Sequence, residues 1–140
     1  MTGLGYDVLA TVAYGGVGTL LMALGFVLVD VATPGKLPEL IWRDGNRNAA
    51  VVLGSGLLGV GMIVTTAILT SADELAAGLL STAIYGLIGI ALMAVAFVLI
   101  DVVTPGKLGA TLTDPEPQPA AWITAVVHVA ISAIIAASVS

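Results

Sequence analysis

The sequence predicts an all-α membrane protein: four transmembrane helices built as two parallel two-helix repeats, with both termini outside the cytoplasm. Three observations predict this. Of the 140 residues, 59% are hydrophobic and only 9% charged, against about 25% charged in soluble domains, and the mean hydropathy is +1.12. The charges divide the chain into four uncharged runs, 8–29, 48–72, 75–100 and 117–140, each longer than the roughly 20 helical residues that cross a hydrocarbon core. One sequence block also occurs twice.

Residues 13–37 read AYGGVGTLLMALGFVLVDVATPGKL and residues 84–108 read IYGLIGIALMAVAFVLIDVVTPGKL, identical at 16 of 25 positions at an offset of 71. The second helices, starting at Ala49 and Ala120, match in length and place more than in residues. A long period with a half-length match signals internal duplication, so 1–71 and 72–140 are read as two repeats of one four-helix domain. Each copy has an even number of crossings, so both enter the membrane in the same direction. The inverted repeats of many secondary transporters have a different symmetry.

Taken in order, the start MTGLGYD has no Lys or Arg and no signal-peptidase site follows, so the first apolar run is expected to be retained. Thr33-Pro34-Gly35 and Thr104-Pro105-Gly106 stop the first helix of each copy, since Pro disfavours helical geometry in the residue before it and Gly permits the turn. The stretch 38–42, PELIW, is expected to form a short helix in the membrane interface, with Trp42 at headgroup level. Asp114-Pro115-Glu116-Pro117-Gln118-Pro119 reads as a stiff, extended linker, and Trp122 then opens the fourth helix near the same interface. Lys36, Arg43, Arg47 and Lys107 all lie in the first and third loops, while the second offers only Asp73 and Glu74. The positive-inside rule therefore puts the first and third loops in the cytoplasm.

Helix association in lipid depends on close backbone approach at small residues, and the 17 glycines of the chain are concentrated inside the helices. In the second helix Ser55 and Gly59 are spaced as small-xxx-small, and Gly54 and Gly61 lie seven apart on one side. Ala125, Ser132, Ala133 and Ala136 offer small residues on the fourth.

Three ionisable residues stand out. Asp30 and Asp101 occupy equivalent places, four residues before the proline. There the bilayer and the negative end of the helix dipole both disfavour a carboxylate. Two readings follow: a structural cap with Thr33, Lys36 and the turn amides (repeated by Asp101, Thr104 and Lys107), or a proton or cation site. His128 lies inside the fourth helix where the first copy has Leu57. Its expected partners are Asp101, Thr65, Thr66 or Ser81, and interhelical bonding by a neutral imidazole is the alternative to a functional site. Tyr14 and Tyr85 repeat as packing residues with a satisfied hydroxyl.

The exclusions are broad. The chain has no cysteine and one histidine, so no metal site, catalytic constellation or cofactor motif is read. Gly15-Gly16-Val17-Gly18 sits inside an apolar helix without the lysine of a phosphate loop. The net charge of −5 is scattered and no basic cluster is present, which sets nucleic acid aside. An enzyme is not expected.

The block F-V-L-[VI]-D-V-x-T-P-G-K-L, present twice, resembles the bacterial membrane family called domain of unknown function 350, over nearly the whole chain with one family unit per copy. His128 is outside that pattern. The resemblance implies a bacterial inner-membrane location and no established activity. It also implies genomic neighbours such as phage-shock-type and flotillin-type membrane-stress proteins and polyamine-synthase-like enzymes. The expected role is a small accessory or structural subunit of a larger membrane assembly, linked to membrane stress. Its partners would be lipids and either further copies or other membrane subunits. The alternative is a proton- or cation-conducting channel or transporter using Asp30, Asp101 and His128. The two part on whether those residues share one polar space.

The topology is checked by cysteine labelling at Ser140 and in the 72–75 loop. Both sites should react from outside the cytoplasm, and labelling of both from the cytoplasmic side alone would overturn the assignment.

Overall fold

The computed structural model describes residues 3–32, 37–103 and 114–140. Four long helices account for most of them: α1 (Leu4–Ala32), α2 (Arg47–Leu69), α3 (Leu75–Val103) and α4 (Pro119–Val139). All four are long and apolar enough to span a membrane. Helix is the conformation that satisfies every backbone amide within its own segment, which lipid demands. Hydroxyls inside the spans bond back to the preceding turn, as Thr66 does to the Met62 carbonyl (2.9 Å) and Thr124 to that of Ala120 (2.8 Å). The turn residues Thr33, Pro34, Gly35 and Lys36, and Thr104, Pro105, Gly106 and Lys107, lie outside the described residues.

A short π-helical turn, Glu39–Arg43, precedes α2. A short helix is expected at 38–42, and Trp42 within the observed one is 71% exposed. The segment is pinned by Leu37, which is fully buried against Ala49 and Leu53 with Phe26 beside them. Gly45 then adopts φ +64°, a left-handed conformation that glycine tolerates without strain. The reversal lets the Asn46 amide donate to the Leu40 carbonyl (2.8 Å) while the Asn46 side chain accepts from the Ala49 amide (3.0 Å). With that N-cap, α2 starts two residues before Ala49.

The second helices form the main seam. Val52 clusters with Ala121, Ser55 bonds His128, and Gly59 faces Ser132. These pairs ascend together, so α2 and α4 run in the same direction. A Cβ at Gly59 would come 2.8 Å from the Ser132 Cβ and 3.1 Å from Met93 Cε, so glycine permits this crossing. On α4 the buried positions Ala121, Ala125, His128, Ser132, Ile135 and Ala136 recur at spacings of three and four, a continuous stripe facing its neighbours.

The first helices pack around this pair. Gly89 of α3 receives Ile63 of α2, Gly25 of α1 receives Val60, and Gly86 of α3 receives Leu21 of α1. The outer helices α1 and α4 sit at opposite corners and hardly meet, whereas α2 and α3 pack directly. The packing therefore does not follow the repeat. A strict twofold would pair Gly15 with Leu92 as Leu21 pairs with Gly86. Yet a Cβ at Gly15 would meet nothing within 4 Å, and Leu92 is 46% exposed.

The linker before α4 departs from expectation. It is non-helical but bent, not extended: Asp114 Oδ1 accepts from the Glu116 amide (2.9 Å) and Oδ2 from the Gln118 side chain (2.8 Å). The bend delivers the carbonyls of Asp114 and Glu116 to the Asn48 amide nitrogen (3.2 and 2.8 Å), while Asn48 Oδ1 accepts from the Gln118 amide (2.9 Å). Asn46 adds a bond to the Asp114 carbonyl (3.1 Å). Both asparagines are buried. This clasp joins the start of α2 to the start of α4.

Two predictions follow from the packing. Gly59→Val should destabilise the fold by about 1–3 kcal/mol through overpacking. Gly54→Val, where a Cβ meets nothing within 4 Å, should stay within about 0.5 kcal/mol; unfolding in mild detergent compares them. Asn48→Ala should cost about 2–3 kcal/mol by stranding the Gln118 amide and the Glu116 carbonyl, while Asn46 still serves the Asp114 carbonyl. A cost no larger than that of an exposed substitution would show that the clasp is not holding α4.

Candidate functional site

Asp30 sits in the last turn of α1, half-buried, and its Oδ1 accepts a 2.8 Å bond from the backbone amide of Leu37. The carboxylate thereby ties the last turn of α1 to Leu37, the residue buried against Ala49 and Leu53 with Phe26 beside it. Such a bond to an amide offsets part of the cost of an acid at this helix end. Asp101 is likewise half-buried and has a bonding partner of its own.

His128 lies in the α2–α4 seam, 4% exposed. Its Nδ1 is 3.2 Å from Ser55 Oγ, and Ser55 in turn donates to the Val52 carbonyl (2.8 Å). The imidazole stacks on Phe97 of α3, with ring centroids 5.6 Å apart and an interplanar angle of 27°. The expected partners therefore give way to Ser55. Thr66 and Ser81 bond carbonyls of their own helices, those of Met62 and Gly78. Thr65 lines an outer groove, and what meets the ring from α3 is Phe97, one turn before Asp101. The reason is register. Ser55 and His128 stand 73 residues apart, close to the repeat length, so parallel second helices bring them to one level. That spacing was the available signal, and Ser55 was read only as a small packing residue.

A cavity of about 90 Å³ lies beside His128, walled by Gly25, Gly56, Val60, Met93, Phe97 and their neighbours, and neither Asp30 nor Asp101 lines it. It is apolar apart from the imidazole. The repeated tyrosines also part company: Tyr14 bonds Ser71 (3.0 Å) just after α2, while Tyr85 is 47% exposed.

The residues missed altogether are Asn46 and Asn48. Their equivalents in the second copy are Pro117 and Pro119, a break in the repeat as plain as that at His128. No group of three or more potential metal-binding side chains occurs among the described residues.

Comparison with known proteins agrees with this architecture. The chain is 35% identical over 131 residues to a UPF0719 transmembrane protein of Mycolicibacterium paratuberculosis, covering 94% of this chain and 87% of that one. UPF0719 transmembrane proteins of Mycobacterium bovis and Mycobacterium tuberculosis are each 35% identical over 135 residues, covering 96% of this chain and 89% of theirs. No solved structure matches. The family model described as Domain of Unknown Function (DUF350) matches residues 3–139, and with four membrane-spanning helices built around the twice-occurring F-V-L-[VI]-D-V-x-T-P-G-K-L block, this chain belongs to that family.

Proposed function

We propose that this protein is a small, non-enzymatic accessory or structural subunit of a larger assembly in the bacterial inner membrane, linked to membrane stress. The observation that carries this reading is the open side of the bundle. Because α1 and α4 stand apart, a groove of about 700 Å³ runs over α2, lined by Met22 of α1, Leu58, Gly61 and Thr65 of α2, and Ala133 of α4. Gly54 and Gly61 lie along this side with nothing within 4 Å of a Cβ, while Gly59 and the small residues opposite it are consumed inside the bundle. Only 11% of the α1 span is buried. Small residues left open on a helix are what a neighbouring transmembrane helix packs against.

The polar groups favour the same reading over conduction. A path for protons or cations through a bilayer needs ionisable groups facing one another or a wet cavity. Asp30 bonds the Leu37 amide and His128 bonds Ser55, and the cavity beside the imidazole is apolar.

The test takes both readings together. Native-lipid discs should yield a species larger than one chain, reduced toward the monomer by Gly61→Leu with helicity unchanged. A monodisperse monomer would sink the assembly reading. In liposomes, Asp30→Asn and Asp101→Asn should leave proton and cation flux at the level of the native protein. Loss of flux with assembly intact would put the channel in its place.

A further inference from the structure

The cavity beside His128 contains one polar side chain in a wall of carbon. Ser55 spends its single hydroxyl proton on the Val52 carbonyl, at 2.8 Å. With that proton so placed, the 3.2 Å contact to His128 runs from Nδ1–H to Ser55 Oγ, on the side of the ring that also bonds the Val52 carbonyl, which can only accept. A neutral imidazole with its proton on Nδ1 has a bare lone pair on Nε2. Among the described residues no hydrogen bond reaches that nitrogen, although the residue is 96% buried and lines the cavity. An unmet acceptor in an apolar site costs about 1–3 kcal/mol, and His128 stands where the first copy holds leucine.

Water answers this need poorly. A buried water is held by about two to four polar partners, and this wall supplies one. A charged headgroup is excluded by the same wall, since an ion in carbon surroundings is far costlier than a neutral hydroxyl. The space of about 90 Å³ exceeds one water several times over and admits a hydroxyl with its first methylenes. Val98, which completes the wall, is 59% exposed on the outer surface of α3, so the cavity lies within reach of the bilayer.

We propose that this cavity binds a neutral, hydroxyl-bearing lipid from the bilayer, whose O–H donates to His128 Nε2 while its chain runs out past Val98. Diacylglycerols and long-chain isoprenoid alcohols share this chemistry. Phe97, stacked on the imidazole, holds the ring in place, and Gly56 leaves room beside it.

The experiment uses the full chain in lipid discs, with hexadecanol carrying a diazirine near its hydroxyl as the probe and its methyl ether as the control. The alcohol should label α3 around Ala94–Val98 roughly five- to tenfold more than the ether, the ratio expected for one neutral hydrogen bond. His128→Leu should bring the alcohol down to the ether's level. Ala94→Phe, which fills the cavity and keeps the imidazole, should abolish both signals. Helicity and particle size verify each variant, and the alcohol-to-ether ratio on the native chain holds even where a variant fails to fold. Competition by unlabelled dioleoylglycerol or by farnesol then identifies the glycerolipid or the isoprenoid source. Equal labelling by alcohol and ether, labelling that survives Ala94→Phe, or competition by neither lipid would overturn the proposal.

Discussion

The rest of the bundle depends on how closely α2 approaches α4 at Gly59 and Ser132. The absence of a side chain at Gly59 lets the Ser132 side chain and Met93 occupy the space a Cβ would need. Hydrocarbon tails give two apolar helices no reason to prefer each other over lipid, so contact of this kind is what binds them. Once the crossing is set, the levels along the seam are set too: Val52 with Ala121, Ser55 with His128, Gly59 with Ser132. The clasp of Asn46 and Asn48 on the linker carbonyls fixes one end of the same seam.

Packing the second helices so tightly forces unequal places on the first helices. A nearly identical sequence block supplies both α1 and α3, yet α3 packs on both α2 and α4 while α1 packs mainly on α2 and α3. Gly86 and Gly89 are filled by Leu21 and Ile63, whereas their counterparts Gly15 and Gly18 meet nothing and a single methyl of Val64. The open groove over α2 and the lipid-facing length of α1 are consequences of this inequality. One copy is used to close the bundle and the other is left with a face to offer.

The polar side chains follow the local logic of a membrane interior. Each hydroxyl or carboxylate with a described bond finds it within a few residues or on the facing helix: Asp30 on Leu37, Ser132 on the His128 carbonyl, Tyr14 on Ser71. Thr82 Oγ1 is fully enclosed and has no hydrogen bond among the described residues. Satisfaction at short range is what lets charged and hydroxylated residues sit within apolar spans.

Four spans, the short helical turn with Trp42, and the singular character of Asp30, Asp101 and His128 were all legible in the sequence. Each rests on a property that one segment carries alone: uninterrupted hydropathy, a proline-glycine stop, an ionisable group inside an apolar run. The resemblance carried by the repeated block was legible for the same reason. Which glycines face a neighbour was not, because α1 and α3 have nearly the same sequence there and only packing distinguishes Gly15 from Gly86. Nor was the partner of His128, since Ser55 comes to it only through the register of two parallel helices. The bend of the 114–118 segment was hidden likewise, because buried Asn48 draws its carbonyls in from 66 and 68 residues away. Sequence determined what each segment must be in a bilayer. Tertiary structure decided which of two near-identical helices would be enclosed, because only one can fill the space that the α2–α4 seam leaves.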